Sequence, residues 1–318
     1  MILDIIAYGA FFLVTALTYG IICLGLNVQW GQTGLFNVGI AGFVAIGAYT
    51  SALLTTPEAA GRFGGFGLPI WIGWIGAILM SGLAAAFIGA ITLRLRADYL
   101  AITTFGVAIA IQLVILNTET LTGGPFGIGF IPRPFAVLQD QSILFNLANL
   151  LLVCIIVSVI YFALEKLIHG PWGRVLRAIR EDEAAATSLG KNANLFRLQA
   201  FMLGSAIMGL AGAIQGNFIG FIAPENYLSA ITFQVWAMLI IGGSGNNRGA
   251  LIGAVVVWAL WSVTGAALGT FIPAEFQARS AALQLVIIGV GLAAILVIRP
   301  RGILGEVVKA KPGPTRQQ

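Results

Sequence analysis

The chain has 318 residues, of which 58% are hydrophobic and only 9% are charged, and its mean hydropathy is +0.95. Soluble domains carry about 25% charged residues, so this composition excludes a soluble globular protein and predicts an all-α membrane protein. The net charge of +5 could suggest nucleic-acid binding. Because the basic residues cluster in loops, the positive-inside pattern of membrane proteins explains it better.

Long apolar regions run through most of the chain, and a membrane-spanning helix needs about 20 such residues. Eight regions qualify: 5–26, 38–54, 68–93, 98–117, 141–163, 198–222, 229–242 and 250–298. The last region is interpreted as a pair of spans, 250–269 and 279–298. We therefore predict a polytopic helical bundle of about eight transmembrane spans. Regions 38–54 and 229–242 are short, which predicts half-helices or broken spans.

One transmembrane domain is predicted over residues 1–305, followed by a basic tail at 306–318. The tail contains Pro and Gly besides its basic residues, and such a composition predicts a disordered cytoplasmic segment. The loop 118–140, also rich in Gly and Pro, is predicted to be irregular and to lie on the outer face. It is either a connector or a landing surface for an external partner.

The distribution of Lys and Arg orients the bundle. Placing 94–97, 165–197 and 299–318 in the cytoplasm, with strict alternation of spans, puts 14 of the 17 basic residues inside. The three that remain outside are Arg62, Arg133 and Arg279. This arrangement predicts an outer N-terminus and an inner C-terminus.

Two Gly-rich polar segments interrupt the apolar regions: NVQWGQTGLFNVG at 27–39 and GGSGNNRGALIG at 242–253. Each is read as leading into a short apolar helix. This weak internal similarity is typical of transporters built from repeats, which place broken helices at matching positions. Polar backbone at membrane depth is tolerated only in a cavity or inside protein. The segments are therefore either broken, re-entrant helices or ordinary loops at the membrane surface.

The predicted spans hold almost no ionisable residues, which argues against a proton-driven carrier. A solute pathway through them would depend on uncharged polar side chains, and the candidates are Gln29, Gln32, Thr33, Asn37, Thr103, Thr104 and Gln112. Each of these could equally form a hydrogen bond between helices. The sequence shows no zinc-protease motif and no readable nucleophilic triad, so an enzyme is not expected.

The segment 165–197 holds six of the 17 basic and four of the 12 acidic residues. Arg174, Arg177 and Arg180 recur at a spacing of three, which places them along one stripe of an amphipathic helix. A second helix of about seven residues is predicted to begin after the N-cap Asp182 and to end at Gly190 in the left-handed C′ position. A helix this short is marginal in water, so it either docks on another protein or is a solvated loop with a helical turn.

The run GRVLRAIREDEAAATSLGKN at 173–192 resembles the coupling segment of permease subunits of the branched-chain amino acid ABC importers. Three further regions resemble this family in the same order: 25–54, 98–128 and 221–254. The elements DYLAITTFG and LTGGP, within 98–128, are similar to the M-type permease more than to its H-type partner. One departure is GGSGNNRG, where the family pattern has a bulky apolar residue before the last Gly.

The resemblance implies a multi-pass subunit of a prokaryotic cytoplasmic (inner) membrane importer for leucine, isoleucine or valine. Its partners would be a second permease subunit, two ATP-binding subunits and an extracytoplasmic solute-binding protein. ATP would be used by those partners and no cofactor bound here, and the sequence contains no G-x-x-x-x-G-K-[ST] run. The residues implied to couple to the ATPase are Arg180, Glu181, Asp182, Glu183, Ala184, Ala185, Ser188, Leu189 and Gly190.

Three alternatives to this function remain open from the sequence. Within the family, the solute could instead be urea or a short amide. Outside it, the chain could be a stand-alone secondary carrier or channel, or a non-transporting scaffold of the same complex. Solute identity is not readable from these residues, because selectivity would reside in the binding protein.

Overall fold

The computed structural model describes residues 2–58, 61, 63–95, 97–271, 283–284, 286–290, 293 and 302–305. These residues form helices and loops, and their only extended pairing is an isolated bridge between Ile128 and Ile222. The predicted tail 306–318 and most of the predicted span 279–298 lie outside the described residues.

Eleven α-helices form in the described part of the chain. They are α1 (Ile2–Leu26), α2 (Ile40–Thr55), α3 (Ile70–Thr92), α4 (Ala97–Asn117), α5 (Glu119–Thr122), α6 (Ser142–His169), α7 (Pro171–Glu181), α8 (Glu183–Ser188), α9 (Ala193–Ile219), α10 (Ser229–Gly242) and α11 (Asn247–Phe271). A π-helical turn, Asn27–Gly31, continues α1 beyond its last α-helical residue.

Six helices are long and apolar enough to cross a membrane by length and composition: α1 with its π-helical turn, α3, α4, α6, α9 and α11. They coincide with six of the predicted spans, which confirms an all-α protein with several apolar spans. Helices α2 and α10 are apolar but have only 16 and 14 residues. Eight spans, re-entrant helices and an internal repeat therefore stay predictions.

One detail of the repeat prediction is wrong. The segment 242–253 does not open a short helix, because α11 begins within it and runs for 25 residues. The short helix α10 comes before this segment instead. The reason is that no proline interrupts the chain between residues 247 and 271, so the helical hydrogen-bond ladder continues.

The outer surface of the bundle is apolar. On α6, for example, Leu151, Ile155, Val159 and Phe162 are all exposed and recur every three or four residues along one face. In water such a face would be strongly unfavourable, whereas lipid is as apolar as the side chains themselves. The exposed hydrophobic stripe is therefore a surface suited to contact with lipid.

Helices α2, α3 and α9 pack closely on one another and approach one another at glycines. A Cβ atom built on Gly47 of α2 would lie 2.0 Å from the Gly209 carbonyl oxygen of α9. A Cβ on Gly212 would lie 2.1 Å from the Val44 carbonyl oxygen, and one on Gly209 would lie 2.0 Å from Ser81 Oγ of α3. Small residues allow this close backbone contact, which drives helix association where lipid removes the hydrophobic effect.

Most of the basic residues that the structure describes gather at one end of the bundle. Arg94 lines the same surface pocket as Glu183 and Arg197, and Arg248 lines a neighbouring pocket with Arg177. This end holds the segment that the charge count places inside, and we call it the coupling end. The membrane side on which it lies stays a prediction, since it rests on the positive-inside rule.

The loop 118–140 lies at the opposite end, which we call the outer end. It is irregular, as predicted, apart from α5 and two single 3-10 turns. Ile128 exchanges two backbone hydrogen bonds with Ile222, of 2.8 and 2.9 Å. Arg133 donates to the Ile219 carbonyl at the end of α9. The loop is therefore tied to the bundle, and its role as a landing surface stays a prediction.

Gly47→Ala should destabilise the bundle by about 1–3 kcal/mol, because the added methyl overlaps the Gly209 backbone. Thermal unfolding of the detergent-solubilised protein, followed by tryptophan fluorescence, measures this as a lower midpoint. Gly106→Ala on α4 is the matched control, since nothing lies within 4 Å of its added Cβ. Equal midpoints for the two variants would contradict the packing described here.

Candidate functional site

The coupling segment folds as two helices joined at Asp182. Helix α7 starts with Pro171 at its first turn, where the missing N–H costs nothing. Its apolar face buries Leu176 and Ile179 against the bundle, while Arg174 is exposed and Arg177 is half-buried. The predicted amphipathic helix is thus confirmed, with its apolar side packed on protein.

Helix α8 is short and capped at both ends. Asp182 accepts a 3.0 Å hydrogen bond from the backbone N–H of Ala185, so the predicted N-cap is confirmed. Gly190 has a φ of +78°, and its N–H donates to the Thr187 carbonyl. The N–H of Lys191 donates to the Ala186 carbonyl, which completes a Schellman motif and confirms the predicted C′ glycine.

One face of α8 is held by the bundle and the other is open. Ala186 is buried against Ile179 and Ala193, and Glu183 pairs with Arg197 at 2.9 Å. The open face contains Ala184, Ala185, Ser188 and Leu189, and Leu189 is 81% exposed. The fold thus supplies the support that a six-residue helix lacks in isolation, and leaves a small, partly apolar surface free.

Two arginines of α7 connect this segment to the end of α1. Arg180 Nη1 donates to the Gly31 carbonyl in the π-helical turn. Arg177 Nη1 donates to Gln32 Oε1 at 3.3 Å and to the Ile168 carbonyl at 3.2 Å. π-Helical turns leave carbonyls outside the regular ladder and often occur at functional sites. Here the coupling segment uses such a carbonyl as its attachment point.

Gln29, in the middle of the π-helical turn, is the centre of a buried polar cluster. Its Nε2 donates to the Phe201 carbonyl at 2.9 Å and to Ser205 Oγ at 3.1 Å, both on α9. Its Oε1 accepts a 2.8 Å hydrogen bond from Asn37 Nδ2, and its carbonyl accepts one from Thr33 Oγ1. Gln29, Thr33 and Asn37 are at most 2% exposed. These three predicted pathway residues form hydrogen bonds within the bundle, and a role in translocation stays a prediction.

The two Gly-rich polar segments meet through Asn27. Its Nδ2 donates to Asn247 Oδ1 and its Oδ1 accepts from the Gly245 N–H, both at 2.8 Å. Gln32 Nε2 donates to the Gly245 carbonyl at 3.1 Å. Asn247 Nδ2 reaches Glu165 Oε1 at 3.2 Å, which joins α6 to the cluster. The contact brings together three parts of the chain that are far apart in sequence: residues 27–32, residue 165 and residues 245–247.

The remaining pathway candidates lie on α4. Thr104 is buried and accepts a 3.0 Å hydrogen bond from the Val38 N–H, so it supports the start of α2. Thr103 donates to the Tyr99 carbonyl within its own helix. Thr103 and Gln112 are both half-buried. They are therefore closer to the surface of the chain than the other five candidates.

Asn27, Ser205 and Asn247 complete these clusters, and the sequence analysis did not identify them as candidate site residues. Asn27 and Asn247 each lie in one of the Gly-rich polar segments, so the polarity of those segments was the available signal. Ser205 carries no local signal, because a lone serine in an apolar helix is common. Across the described part of the chain, no three His, Cys, Asp or Glu side chains form a group that could hold a metal.

Comparison with known proteins decides the family. The profile of the family described as "Branched-chain amino acid transport system / permease component" matches residues 9–296. The chain belongs to this family. It is a family of transport components rather than enzymes, and together with the six apolar helices it makes this chain a multi-pass inner-membrane protein.

Individual relatives agree with the M-type resemblance. The chain is 36% identical to the high-affinity permease protein LivM of Salmonella typhimurium over 75% of its own length. It is 26% identical to the probable LivM of Methanocaldococcus jannaschii over 91% of its length and 90% of that relative. Identity to LivH of Salmonella typhimurium is 24% over 91% of the chain and 92% of LivH.

The chain spans only 59% of the length of the Salmonella typhimurium LivM that it matches. No solved structure gave a significant match.

The Asp182→Ala substitution removes the N-cap of α8 and should lower the free energy of its local unfolding by about 1 kcal/mol, because the Ala185 N–H loses its hydrogen-bond partner. Hydrogen exchange of the amides in 183–189 should then quicken about fivefold while the spanning helices keep their protection. Glu181→Ala, one residue earlier and equally exposed, is the control and should leave these rates unchanged. Unchanged rates in both variants would refute the capping role.

Proposed function

We propose that the chain is the M-type permease subunit of an ATP-driven importer of leucine, isoleucine and valine. The observation that carries the proposal is the geometry of α8: a short helix, capped at both ends and packed on the bundle, that presents an open Ala–Leu face. Such a face lets another protein approach closely. The names of the LivM and LivH relatives support branched-chain amino acids as the solute.

The proposed partners follow from the same family. A second, H-type permease completes the pathway, two ATP-binding subunits bind at the coupling end, and a solute-binding protein delivers the amino acid at the outer end. ATP closes the pair of ATP-binding subunits, which carries α8 with them. No ATP or other cofactor is bound by this chain.

The proposed transmission route is short. Movement of α8 reaches α7 directly through Asp182. The guanidinium group of Arg180 carries it to Gly31 in the π-helical turn, and that of Arg177 carries it to Gln32 directly after the turn. From there Gln29 leads to α9 and Asn27 leads to α11. A rigid, fully hydrogen-bonded connection of this kind transmits a displacement instead of absorbing it.

The deciding experiment reconstitutes the chain in liposomes with and without its partner subunits and follows radiolabelled leucine. The proposal expects uptake only with the ATP-binding subunits, the second permease, the binding protein and ATP. Uptake by this chain alone would establish a carrier or channel, and urea uptake without leucine uptake would establish the other solute class. Normal uptake by a complex lacking this chain would make it a scaffold.

Gly190→Val should weaken association with the ATP-binding subunits, because a β-branched residue strains the left-handed C′ position and displaces Leu189. Leu189→Ser should also weaken this association, because it removes an exposed apolar contact. We expect each variant to lower the affinity for the ATP-binding subunits about tenfold. Copurification of the subunits from detergent measures this. Val137→Ser, an exposed apolar residue at the outer end, is the control. Wild-type association of both α8 variants would disprove docking at α8.

Arg180→Gln should uncouple ATP hydrolysis from transport, because the Gly31 carbonyl in the π-helical turn loses its hydrogen bond from α7. Leucine uptake per ATP hydrolysed should fall about tenfold while hydrolysis itself continues, since contacts along a coupling route contribute about 1–2 kcal/mol. Arg174→Gln removes the same charge from the exposed side of α7 and should keep the wild-type ratio. An unchanged ratio in Arg180→Gln would show that coupling bypasses this contact.

A further inference from the structure

A groove runs along the exposed side of the α3–α9 pair. One part of it has a volume of about 380 Å³ and is lined mostly by aliphatic side chains, among them Leu79, Leu83 and Met202. The other part lies at the coupling end of the same two helices, has a volume of about 370 Å³ and contains Arg94 and Asn194. We call the first part the apolar trough and the second the polar pocket.

The trough and the pocket lie on the same side of the helix pair. Leu83 of the trough and Ala90 of the pocket are seven residues apart on α3. Met202 of the trough and Leu195 of the pocket are seven residues apart on α9. Seven residues are close to two full helical turns, so each pair shares one face of its helix. A molecule that lies along this side can therefore contact both parts.

The length of the groove matches one leaflet of a bilayer. From Ala90 to Leu79 the helix rises about 16 Å, and the hydrocarbon core of a bilayer is about 30 Å thick, or about 15 Å for each leaflet. Leu79 and Leu83 are both more than half exposed, so the trough is open to lipid. Its one amide side chain, Gln199, already accepts a 2.9 Å hydrogen bond from Trp172 Nε1. The trough therefore suits an acyl chain that starts at the polar pocket.

The charge at the coupling end of the groove is positive. Arg94 and Asn194 are both exposed, and none of the residues that line the polar pocket is acidic. Within the described part of the chain, Arg94 forms no hydrogen bond or ion pair. A neighbouring cavity of about 400 Å³ contains Arg94 and Asn194 again, together with Arg197 and Glu183, which pair with each other at 2.9 Å. The Glu183 charge is thus matched by Arg197, and the charge of Arg94 is left for a ligand.

We propose that the α3–α9 groove binds an anionic phospholipid. Arg94 and Asn194 donate to the phosphate oxygens of the headgroup, and one acyl chain lies in the apolar trough. A zwitterionic lipid fits less well, because its ammonium group cancels the charge that attracts the headgroup to Arg94. A free anion would leave the trough uncovered. The inference goes beyond the proposed function and does not depend on which solute is transported.

Photo-crosslinking tests the site directly. The full-length chain, alone and with its partner subunits, is placed in phosphatidylcholine nanodiscs that contain a trace of phosphatidylglycerol with a diazirine in one acyl chain. A phosphatidylcholine probe with the same acyl chain is the comparison. Mass spectrometry should locate the phosphatidylglycerol label on residues 78–83 and 199–206. Its yield there should be about five times that of the phosphatidylcholine probe, which is the preference that one basic residue near a membrane surface gives.

Two variants remove different features of the site. Arg94→Gln removes the charge and should bring the two probes to nearly equal yields. Arg174→Gln removes an equal, exposed charge at the same end of the bundle but outside the groove, and should keep the wild-type preference. Ala206→Phe fills the trough and should lower the yield of both probes about tenfold, whereas Ala110→Phe on the exposed side of α4 should not. The comparison of the two probes on the wild type decides the question if a variant does not fold.

Three results would overturn the inference. Equal yields of the two probes on the wild type would make the groove an ordinary contact with bulk lipid. Displacement of the phosphatidylglycerol probe by inorganic phosphate at constant ionic strength would make the polar pocket a site for free anions. Labelling of the isolated chain but not of the complex would show that a partner subunit covers the groove. A complex that takes up no leucine but keeps the preference for phosphatidylglycerol would support this site and contradict only the proposed function.

Discussion

The structure depends on one constraint: where a helix breaks inside an apolar bundle, every freed polar group must find a partner within the protein. Lipid offers no hydrogen bonds, so an unpaired backbone or amide group there is costly. The break between α1 and α2 meets this constraint with side chains from its own sequence. Gln29 and Asn37 bond each other, and Gln29 also bonds Ser205 and a carbonyl on α9.

This junction also explains why the two Gly-rich segments lie together. Asn27 fills the hydrogen-bonding needs of Gly245 and Asn247, and a Cβ on Gly31 would lie 2.6 Å from the Gly245 nitrogen. Only glycine allows the two backbones to approach so closely. The polar residues and the glycines are therefore parts of one contact, in which the amides bond because the glycines bring the backbones near.

The same junction connects the spans to the coupling segment. Arg177 and Arg180 reach the far side of the π-helical turn from α7, and Asp182 links α7 to α8. Charged groups thus remain at the coupling end, where they cost little, while uncharged amides continue the network into the bundle. This division keeps charge away from the apolar part of the bundle, where a charged side chain is costly.

The sequence by itself determined the elements whose cause is local. Apolar length placed the six long helices, and the side-chain chemistry of Asp182 and the backbone freedom of Gly190 fixed both ends of α8. The tertiary structure decided the features that depend on partners distant in sequence: the attachment of the π-helical turn to α7 and the pairing of Asn27 with Asn247. Gln29 shows the reason, since a glutamine in an apolar helix can line a pathway or bond a neighbouring helix. Only the position of α9, more than 170 residues later, selects the hydrogen bond.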